Sequence, residues 1–355
     1  MSTTLPIIHG RGANLNPVNR FEPIALEIDP EWLNEEGLPA PQTQFFIDST
    51  RGIISKSDSP DLGQMYSLNP YRGCEHGCIY CYARPSHEYF GWSSGLDFET
   101  KILVKPDAPE LLAQEFEKRS WKPQTVVLSG NTDCYQLAER RLRITRGCLE
   151  VFLRYRNPVG IITKNALVLR DLDLLAEMAK LNLVAVTLSI TTLDNQLCRK
   201  MEPRTSAPEK RLEAVEKLAA AGVRVGVNFA PVIPGLNDHE MAAVLAAAAE
   251  RGATRTGMVM VRLAYALKEL FANWLETHYP ERAAKVLNAI RDVRNGQLND
   301  PRFGTRMTGE GERAEMLHRM FEVCCKKHGL NQIRRPLSTE HFRRPSAQQN
   351  LFATE

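Results

Sequence analysis

The sequence has no long apolar run, no large excess of charge and no export signal. No stretch reaches the ~18 apolar residues that a membrane-spanning helix requires, and residues 1–23 lack a basic start followed by a continuous apolar segment. We therefore expect a cytoplasmic protein without a membrane contact. Apolar residues make up 43% and charged residues 25% of the 355 residues, which excludes wholesale disorder, collagen-like repetition and a disulfide scaffold.

The charge balance permits an anionic partner without requiring one. The net charge is +3, and residues of both signs are mixed along the chain. Acidic residues outnumber basic residues before position 65, and the basic excess lies after it. A mixed surface of this kind is most often a solvated exterior.

Length and periodicity predict one large α/β domain with an extension at each end. Residues 1–64 are rich in Pro, Gly and Asn and show no sustained period, so we predict an N-terminal arm. Residues 65–265 alternate short β-branched runs with amphipathic stretches, which requires a parallel sheet with crossover helices. Residues 266–355 are mostly helical in pattern and end in a basic tail. Periodicity leaves both a doubly wound sheet and a barrel open.

The individual elements follow from the same pattern. Strands are predicted at 65–68, 126–129, 160–163, 184–190, 223–229 and 257–263. Helices are predicted at 108–119, 145–156, 171–181, 208–221 and 239–251, and in the C-terminal extension at 266–278, 281–294 and 311–328.

Three of the eight cysteines lie within one short segment. Cys74, Cys78 and Cys81 are separated by four and three positions, and Gly73 and Gly77 allow the backbone between them to turn tightly. Without an export signal the thiols are expected to be free, which favours metal or redox chemistry over disulfide bridges. The segment is therefore a candidate metal-binding loop.

Two metal centres are compatible with three thiols. A structural zinc ion needs four protein ligands, so His76 or His87 would have to supply the fourth. A [4Fe-4S] cube accepts three thiolates and leaves one iron open for a substrate or cofactor. The coordination chemistry favours the cube.

The spacing Cys-x3-Cys-x2-Cys, with an aromatic residue before the last cysteine, resembles that of the radical S-adenosylmethionine (SAM) superfamily. The resemblance covers about residues 65–265, where a first strand precedes the motif and strand-helix units follow it. It implies a partial (β/α)6 TIM barrel, with Cys74, Cys78 and Cys81 holding a [4Fe-4S] cluster. It further implies that SAM binds the fourth iron and that one-electron reduction yields a 5′-deoxyadenosyl radical.

Further motifs resemble the spore photoproduct lyase branch of this superfamily, also called DNA repair photolyase-like. They are the run Cys-x-Tyr-Cys-Tyr, the turn Ser129-Gly-Asn-Thr-Asp133, the pair Thr163-Lys164, Ser189, and the segment Glu202-Pro-Arg-Thr-Ser206. Residues 65–265 as a whole resemble a bacterial subgroup of radical SAM proteins.

The branch resemblance implies a SAM site at the strand ends. By position, Thr132, Lys164 and Ser189 correspond to the hydroxyl, lysine and serine that hold SAM, and Asp133 would accept from its amine or ribose. A cation suits the SAM carboxylate, and the C-terminal mouth of a barrel is where such sites form. Asp133 has a second interpretation as a helix N-cap.

The resemblance also assigns a hydrogen-atom or electron relay to Tyr80 and Tyr82, with aromatic packing around the cluster as the alternative. One departure concerns the hydrogen donor. The branch carries a hydrogen-donating cysteine in the turn after the second barrel strand, where this chain has Gly130. Cys134, four residues on, is the remaining candidate donor.

The expected partners follow from the branch. It implies a DNA or RNA substrate and a reductant such as flavodoxin or ferredoxin. Basic residues that would line a phosphate groove are Arg140, Arg141, Arg143, Arg302, Arg306, Lys326 and Lys327. The alternatives are radical modification of a peptide or small metabolite, and a non-catalytic metal-binding interaction module.

Overall fold

The computed structural model describes residues 8, 10–22, 41–63, 65–332 and 335–345. Parts of the predicted N-terminal arm (1–7, 9, 23–40 and 64) and of the predicted C-terminal extension (333–334 and 346–355) lie outside the described residues. The strands are β1 (Gln44–Ile47), β2 (Ile54–Ser57), β3 (Met65–Leu68), β4 (Tyr71–Arg72), β5 (Lys101–Val104), β6 (Val126–Leu128), β7 (Val159–Thr163), β8 (Val184–Ser189), β9 (Arg224–Val232) and β10 (Arg255–Met260).

The helices cover the sheet and form the C-terminal part. They are α1 (Leu96–Thr100), α2 (Ala108–Glu117), α3 (Glu139–Leu142), α4 (Ile144–Tyr155), α5 (Leu172–Lys180), α6 (Asn195–Met201), α7 (Pro208–Ala220), α8 (Met241–Glu250), α9 (Leu267–His278), α10 (Pro280–Asp292), α11 (Thr305–Thr308) and α12 (Glu312–Lys327). Within the described ranges, none is long and apolar enough to cross a bilayer.

The main sheet is an open barrel. Its strand order is β10-β9-β8-β7-β6-β3-β2, in which six strands run parallel and β2 pairs antiparallel with β3. Strands that follow one another through a crossover are neighbours, so the sheet winds in one direction and is not doubly wound. β2 and β10 are its two edges and do not pair in the described part of the chain. The predicted partial (β/α)6 barrel is confirmed.

Alternating burial explains why these segments form strands covered by helices. In β7, Val159, Ile161 and Thr163 are buried while the residues between them are half-buried. The outer layer packs through helix faces, as where Phe116 of α2 meets Phe152 of α4 with ring centroids 5.5 Å apart. The predicted strands and long helices agree with the observed ones to within a few residues at their ends.

The end of the predicted arm contributes two strands. β1 pairs with β5 in a small three-stranded sheet of order β1-β5-β4, and β2 joins the edge of the main sheet. The sequence did not indicate these strands, because neither shows a buried face that would produce a hydrophobic period. The division at residue 64 stays a prediction.

An ion pair links the two edges of the open barrel. Asp61 follows β2, and its carboxylate accepts from Arg306 Nε and, at 2.6 Å, from the Gly304 backbone N–H. Arg306 lies in α11, which contacts β10, and it also donates to Ser59 Oγ at 2.6 Å. The bridge therefore joins the segment after one edge strand to the helix that packs on the other.

We expect Asp61→Ala to loosen this bridge, because Arg306 and the Gly304 N–H lose their shared acceptor. Hydrogen exchange of residues 59–63 and 303–308 should accelerate, while exchange in β7 and β8 stays slow. Asp58→Ala is the control, since Asp58 is an exposed carboxylate on the same segment. Equal exchange in the two variants would show that the bridge does not hold the edges.

Candidate active site

The three cysteines lie together in the loop that follows β4. Cys74 and Cys78 are buried and Cys81 is half-buried, and all three are free thiols. Cys74 and Cys81 pack against Ala83 and Phe98. The short strand β4 lies between β3 and this loop. The loop therefore lies near the C-terminal end of β3, at the edge of the sheet where the other parallel strands also end.

Glycine is required at two turns of this loop. Gly73 and Gly77 have φ angles of +76° and +65°, a region that favours glycine. A Cβ at Gly77 would lie 2.6 Å from the Glu99 carboxylate, and one at Gly73 would lie 2.9 Å from the His87 ring. The loop therefore packs against its surroundings too closely for any side chain at these positions.

A fully buried arginine ties the loop to its neighbours. Arg84 donates to the carbonyls of Gly77 (3.0 Å), Cys78 (2.9 Å), Ser94 (3.2 Å) and Gly95 (2.9 Å). It also pairs with Glu99 at 2.6 Å, and neither side chain is exposed. Since the guanidinium offers five N–H groups, every donor of Arg84 is used.

Glu99 continues this network into the N-terminal arm. Its carboxylate accepts the backbone N–H of Gly12 at 3.0 Å and of Ala13 at 2.8 Å. A Cβ at Gly12 would lie 1.7 Å from the Gly77 carbonyl oxygen, so the arm lies directly against the cysteine loop. The arm thus covers part of the candidate metal centre.

The two histidines that would complete a zinc site have other partners. His76 Nδ1 lies 3.3 Å from Asp133, its Nε2 lies 3.2 Å from the Asn165 side-chain nitrogen, and His87 Nε2 lies 2.8 Å from the Lys101 carbonyl. In the described residues, no three His, Cys, Asp or Glu side chains lie close enough together to hold one single metal ion such as zinc. Three thiols without a fourth protein ligand fit a [4Fe-4S] cube with one iron left open.

His76 and Asp133 form a buried charged pair. Burial alone would lower the pKa of His76, but Asp133 and Cys74 outweigh it and raise that pKa to about 10. Burial likewise opposes ionisation of Asp133, but His76 and several hydrogen bonds bring its pKa down to about 2. The carboxylate also accepts from Thr163 Oγ1 at 2.7 Å and from the Lys164 N–H at 2.8 Å. Asp133 therefore connects the loop after β6 to the end of β7.

Thr132 lies in the same loop, and its side chain is hydrogen-bonded to the protein. Its hydroxyl donates to the Tyr71 carbonyl at 2.9 Å, and its N–H donates to Asn69 Oδ1 at 3.2 Å. Thr132 and Asp133 are thus brought to the expected edge, and both side chains bond to protein groups there.

Lys164 directly follows β7 and faces the cysteine loop. Burial alone would lower its pKa, but Cys78 and Glu202 raise it. Its Nζ lies 5.8 Å from the Tyr80 ring centroid, and no carboxylate of the described residues lies within ion-pair distance. Ser189 is the last residue of β8, opposite Asn228 of β9. Both residues therefore lie at the C-terminal edge, as expected.

The two tyrosines differ in exposure. Tyr80 is 6% exposed and its hydroxyl donates to Glu202, whereas Tyr82 is 56% exposed and its hydroxyl donates to the Gly130 carbonyl. Glu202 is itself paired with fully buried Arg211 and accepts from Thr191 Oγ1 at 2.6 Å. Tyr80 is therefore part of a buried network, and Tyr82 lies at the surface beside the loop after β6.

Cys134 does not reach this surface. It is fully buried in the main apolar core, which also contains Cys148 and Leu149. Its N–H donates to Ser129 Oγ at 2.6 Å, and burial raises the pKa of its thiol. The structure does not bring Cys134 together with Tyr82.

Four residues that support the site were not identified from the sequence: Arg84, Glu99, Glu202 and Arg211. Glu202 lies in a motif noted above, but no pattern showed that it pairs with an arginine. Arg84 and Glu99 have no sequence signal of their own, because a buried pair depends on the folded positions of both residues.

An open parallel barrel with a three-thiol loop at its C-terminal mouth defines a class of cofactor-dependent enzyme. Residues 68–248, more than half of the chain, match the family model described as the radical SAM superfamily. The chain belongs to this superfamily. It is a radical SAM enzyme, with a [4Fe-4S] cluster and SAM as its cofactors.

The chain is also similar to other proteins in sequence and to a solved structure in fold. An uncharacterized protein of Mycobacterium tuberculosis is 37% identical over 228 residues, which span 64% of this chain and 67% of that protein. An uncharacterized protein of Methanocaldococcus jannaschii is 30% identical over 178 residues, or 50% of this chain and 64% of that protein. The fold is similar to that of spore photoproduct lyase complexed with dinucleoside spore photoproduct, with a TM-score of 0.57, 16% identity and coverage of 81% of this chain and 80% of the lyase.

We expect Arg84→Met to destabilise the protein by about 3–5 kcal/mol, because Glu99 becomes a buried charge without its partner. Urea unfolding under anaerobic conditions measures the change. Arg313→Met is the control, since Arg313 pairs with Asp292 at the surface and should contribute at most ~1 kcal/mol. Similar losses in both variants would contradict a structural role for the buried pair.

Proposed function

We propose that this radical SAM enzyme acts on a nucleic acid at the C-terminal mouth of its barrel. The observation that carries the SAM site is the position of Lys164, whose Nζ lies 5.8 Å from the Tyr80 ring centroid and has no carboxylate within ion-pair distance among the described side chains. A cation of this kind beside the cysteine loop suits the carboxylate of SAM. When bound, the reduced cluster and SAM supply a 5′-deoxyadenosyl radical.

The side chains divide into ligands and supports in this proposal. Cys74, Cys78 and Cys81 would hold the cluster, and Lys164 and Ser189 would contact SAM. Thr132 and Asp133 fix the loop after β6 through their protein hydrogen bonds, Thr132 to Tyr71 and Asp133 to the end of β7, and therefore support the SAM site. Tyr80 is a positioning residue, because its hydroxyl is bonded to Glu202.

Tyr82 is the better candidate for the relay. Its hydroxyl lies at the exposed side of the loop and donates to the Gly130 carbonyl, so it is next to the turn where the lyase branch carries its hydrogen donor. A phenol at that place is within reach of a substrate that occupies the mouth. We therefore assign to Tyr82 the transfer of a hydrogen atom or an electron.

Two observations support nucleic acid over a peptide or metabolite. The lyase of similar fold was solved in complex with a dinucleoside, which is a property of that protein. In this chain, the Arg262 side chain lies near Tyr82, which is 56% exposed, and a cation beside an exposed ring suits a phosphate backbone with unstacked bases. A reductant of the flavodoxin or ferredoxin class and a cytoplasmic location remain predictions.

The test uses protein reconstituted anaerobically, with dithionite as reductant. Release of 5′-deoxyadenosine should require SAM and should increase with a single-stranded oligonucleotide. Lys164→Ala should raise the SAM concentration needed for half-maximal release while iron content stays near wild type, because the lysine binds SAM and not the cluster. Cys78→Ala is the comparison, since it should lose iron and sulfide together.

Two outcomes would contradict this proposal. Equal loss of iron in Lys164→Ala and Cys78→Ala would show that Lys164 holds the fold and not SAM. Oligonucleotide binding that is absent even at low salt would favour a peptide or metabolite substrate, because phosphate contacts are strongest there.

Cys134 is not the hydrogen donor in this proposal, since it is fully buried in the core. The donor position of the lyase branch is also closed, because a Cβ at Gly130 would lie 2.9 Å from Ser67 Cβ. We therefore propose an outcome other than thiol-mediated repair, such as modification or cleavage of the substrate.

We expect Cys134→Ser to leave the oligonucleotide products unchanged, because its thiol does not reach the substrate. Mass spectrometry of the products and the yield of 5′-deoxyadenosine measure this. Cys148→Ser is the matched control, because Cys148 is an equally buried core thiol. Products that change in Cys134→Ser alone would identify Cys134 as the donor after all.

A further inference from the structure

Among the described residues, one guanidinium at the mouth forms no ion pair. Arg262 comes two residues after the end of β10, at the same edge of the sheet as the cysteine loop. Its side chain is half-buried and its Nε is buried without a hydrogen-bond partner. Within the described ranges its one hydrogen bond runs from Nη1 to Met307 Sδ at 3.6 Å. No carboxylate of the described segments lies within 4 Å of it.

The fully buried arginines of the described chain differ from Arg262 because each has a carboxylate or several backbone carbonyls as partners. Arg84 pairs with Glu99 and Arg211 pairs with Glu202, both within hydrogen-bond distance. Arg294 lacks a carboxylate partner too, but it donates to the backbone carbonyls of Met260, Val261 and Thr305. Arg262 has neither kind of partner, although removing a guanidinium from water without a partner costs free energy.

The carboxylate near Arg262, that of Asp61, is already hydrogen-bonded to other groups. Asp61 accepts from Arg306 and from the Gly304 N–H, so it binds the second arginine of this region and not Arg262. Burial lowers the pKa of Arg262, and the neighbouring Arg306 lowers it further. Two guanidinium groups and one carboxylate leave a net positive charge at this part of the mouth.

Two exposed aromatic rings, those of Phe303 and Tyr82, lie near this charge. The Arg306 guanidinium lies 4.3 Å from the Phe303 ring centroid, and Phe303 is 57% exposed. Tyr82, on the other side, is close enough to Arg262 to influence its pKa. Tyr265, three residues after Arg262, is 59% exposed, but the Arg20 guanidinium lies 3.7 Å from its ring centroid and already occupies one face of that ring. Exposed rings beside an unpaired cation offer stacking surfaces for bases next to a site for an oxyanion.

We propose that Arg262 binds a phosphodiester oxyanion of a single-stranded nucleic acid, with the adjacent aromatic rings stacking its bases. The inference rests on the proposed function and specifies the form of the substrate and the residue that positions it. A duplex would keep its bases paired and stacked, and would leave the aromatic rings without partners.

The experiment measures binding of a fluorescent single-stranded oligothymidylate to the reconstituted protein across a salt series. Arg262→Gln should weaken binding severalfold and reduce the slope of log affinity against log salt by about 0.7, because one phosphate contact is lost. Arg262→Lys should keep most of the slope, since it keeps the charge. Arg319→Gln is the matched control, which removes an exposed charge on α12 and should change neither quantity.

Each further outcome has a definite meaning. If wild-type protein binds the oligothymidylate and Arg262→Gln shows the same slope of log affinity against log salt as wild type, the inference is wrong while the proposed function stands. If wild-type protein releases 5′-deoxyadenosine but binds no oligothymidylate at low salt, the proposed substrate class fails and the inference fails with it. An unchanged slope with a raised SAM requirement would assign Arg262 to SAM, and equal binding of duplex would overturn the single-strand assignment.

Discussion

The candidate site depends on the buried ion pair between Arg84 and Glu99. Arg84 bonds to two carbonyls inside the cysteine loop, and Glu99 accepts backbone N–H groups from the N-terminal arm. Three separate parts of the chain are therefore held by one pair of charges. Because both side chains are fully buried, each charge is compensated only by the other. The loop has little freedom to move while the pair is intact.

The second buried pair, Arg211 with Glu202, plays a similar part on the other side of the loop, where Glu202 accepts from Tyr80. Asp61 is likewise engaged by Arg306, so neither Lys164 nor Arg262 has a carboxylate within ion-pair distance among the described residues. Each structural pair compensates its own charge, and the two cations at the mouth belong to no such pair.

The fold is similar to that of spore photoproduct lyase, although the two sequences are only 16% identical. The turn after β6 has no room for a side chain at Gly130, and its carbonyl is bonded by Tyr82. The nearest cysteine along the chain, Cys134, lies in the core. A shared fold at this identity does not carry the function with it, so the groups at the mouth are those of this chain alone.

The sequence by itself determined the parallel sheet with crossover helices and the cysteine loop, because periodicity and close spacing are local properties. Periodicity left a doubly wound sheet and a barrel open, and the partial barrel and the strand-end position of Lys164 were expected from the family resemblance. The sequence did not reveal strands β1 and β2, which lack a buried face, nor the partners of Thr132 and Asp133. Only the tertiary structure decided that Tyr80 is bonded in the interior while Tyr82 is exposed, and that Cys134 is buried. Burial and charge pairing depend on residues far apart in the chain, as Arg84 with Glu99 and Asp61 with Arg306 show. Contacts of that kind leave no periodic pattern in the sequence.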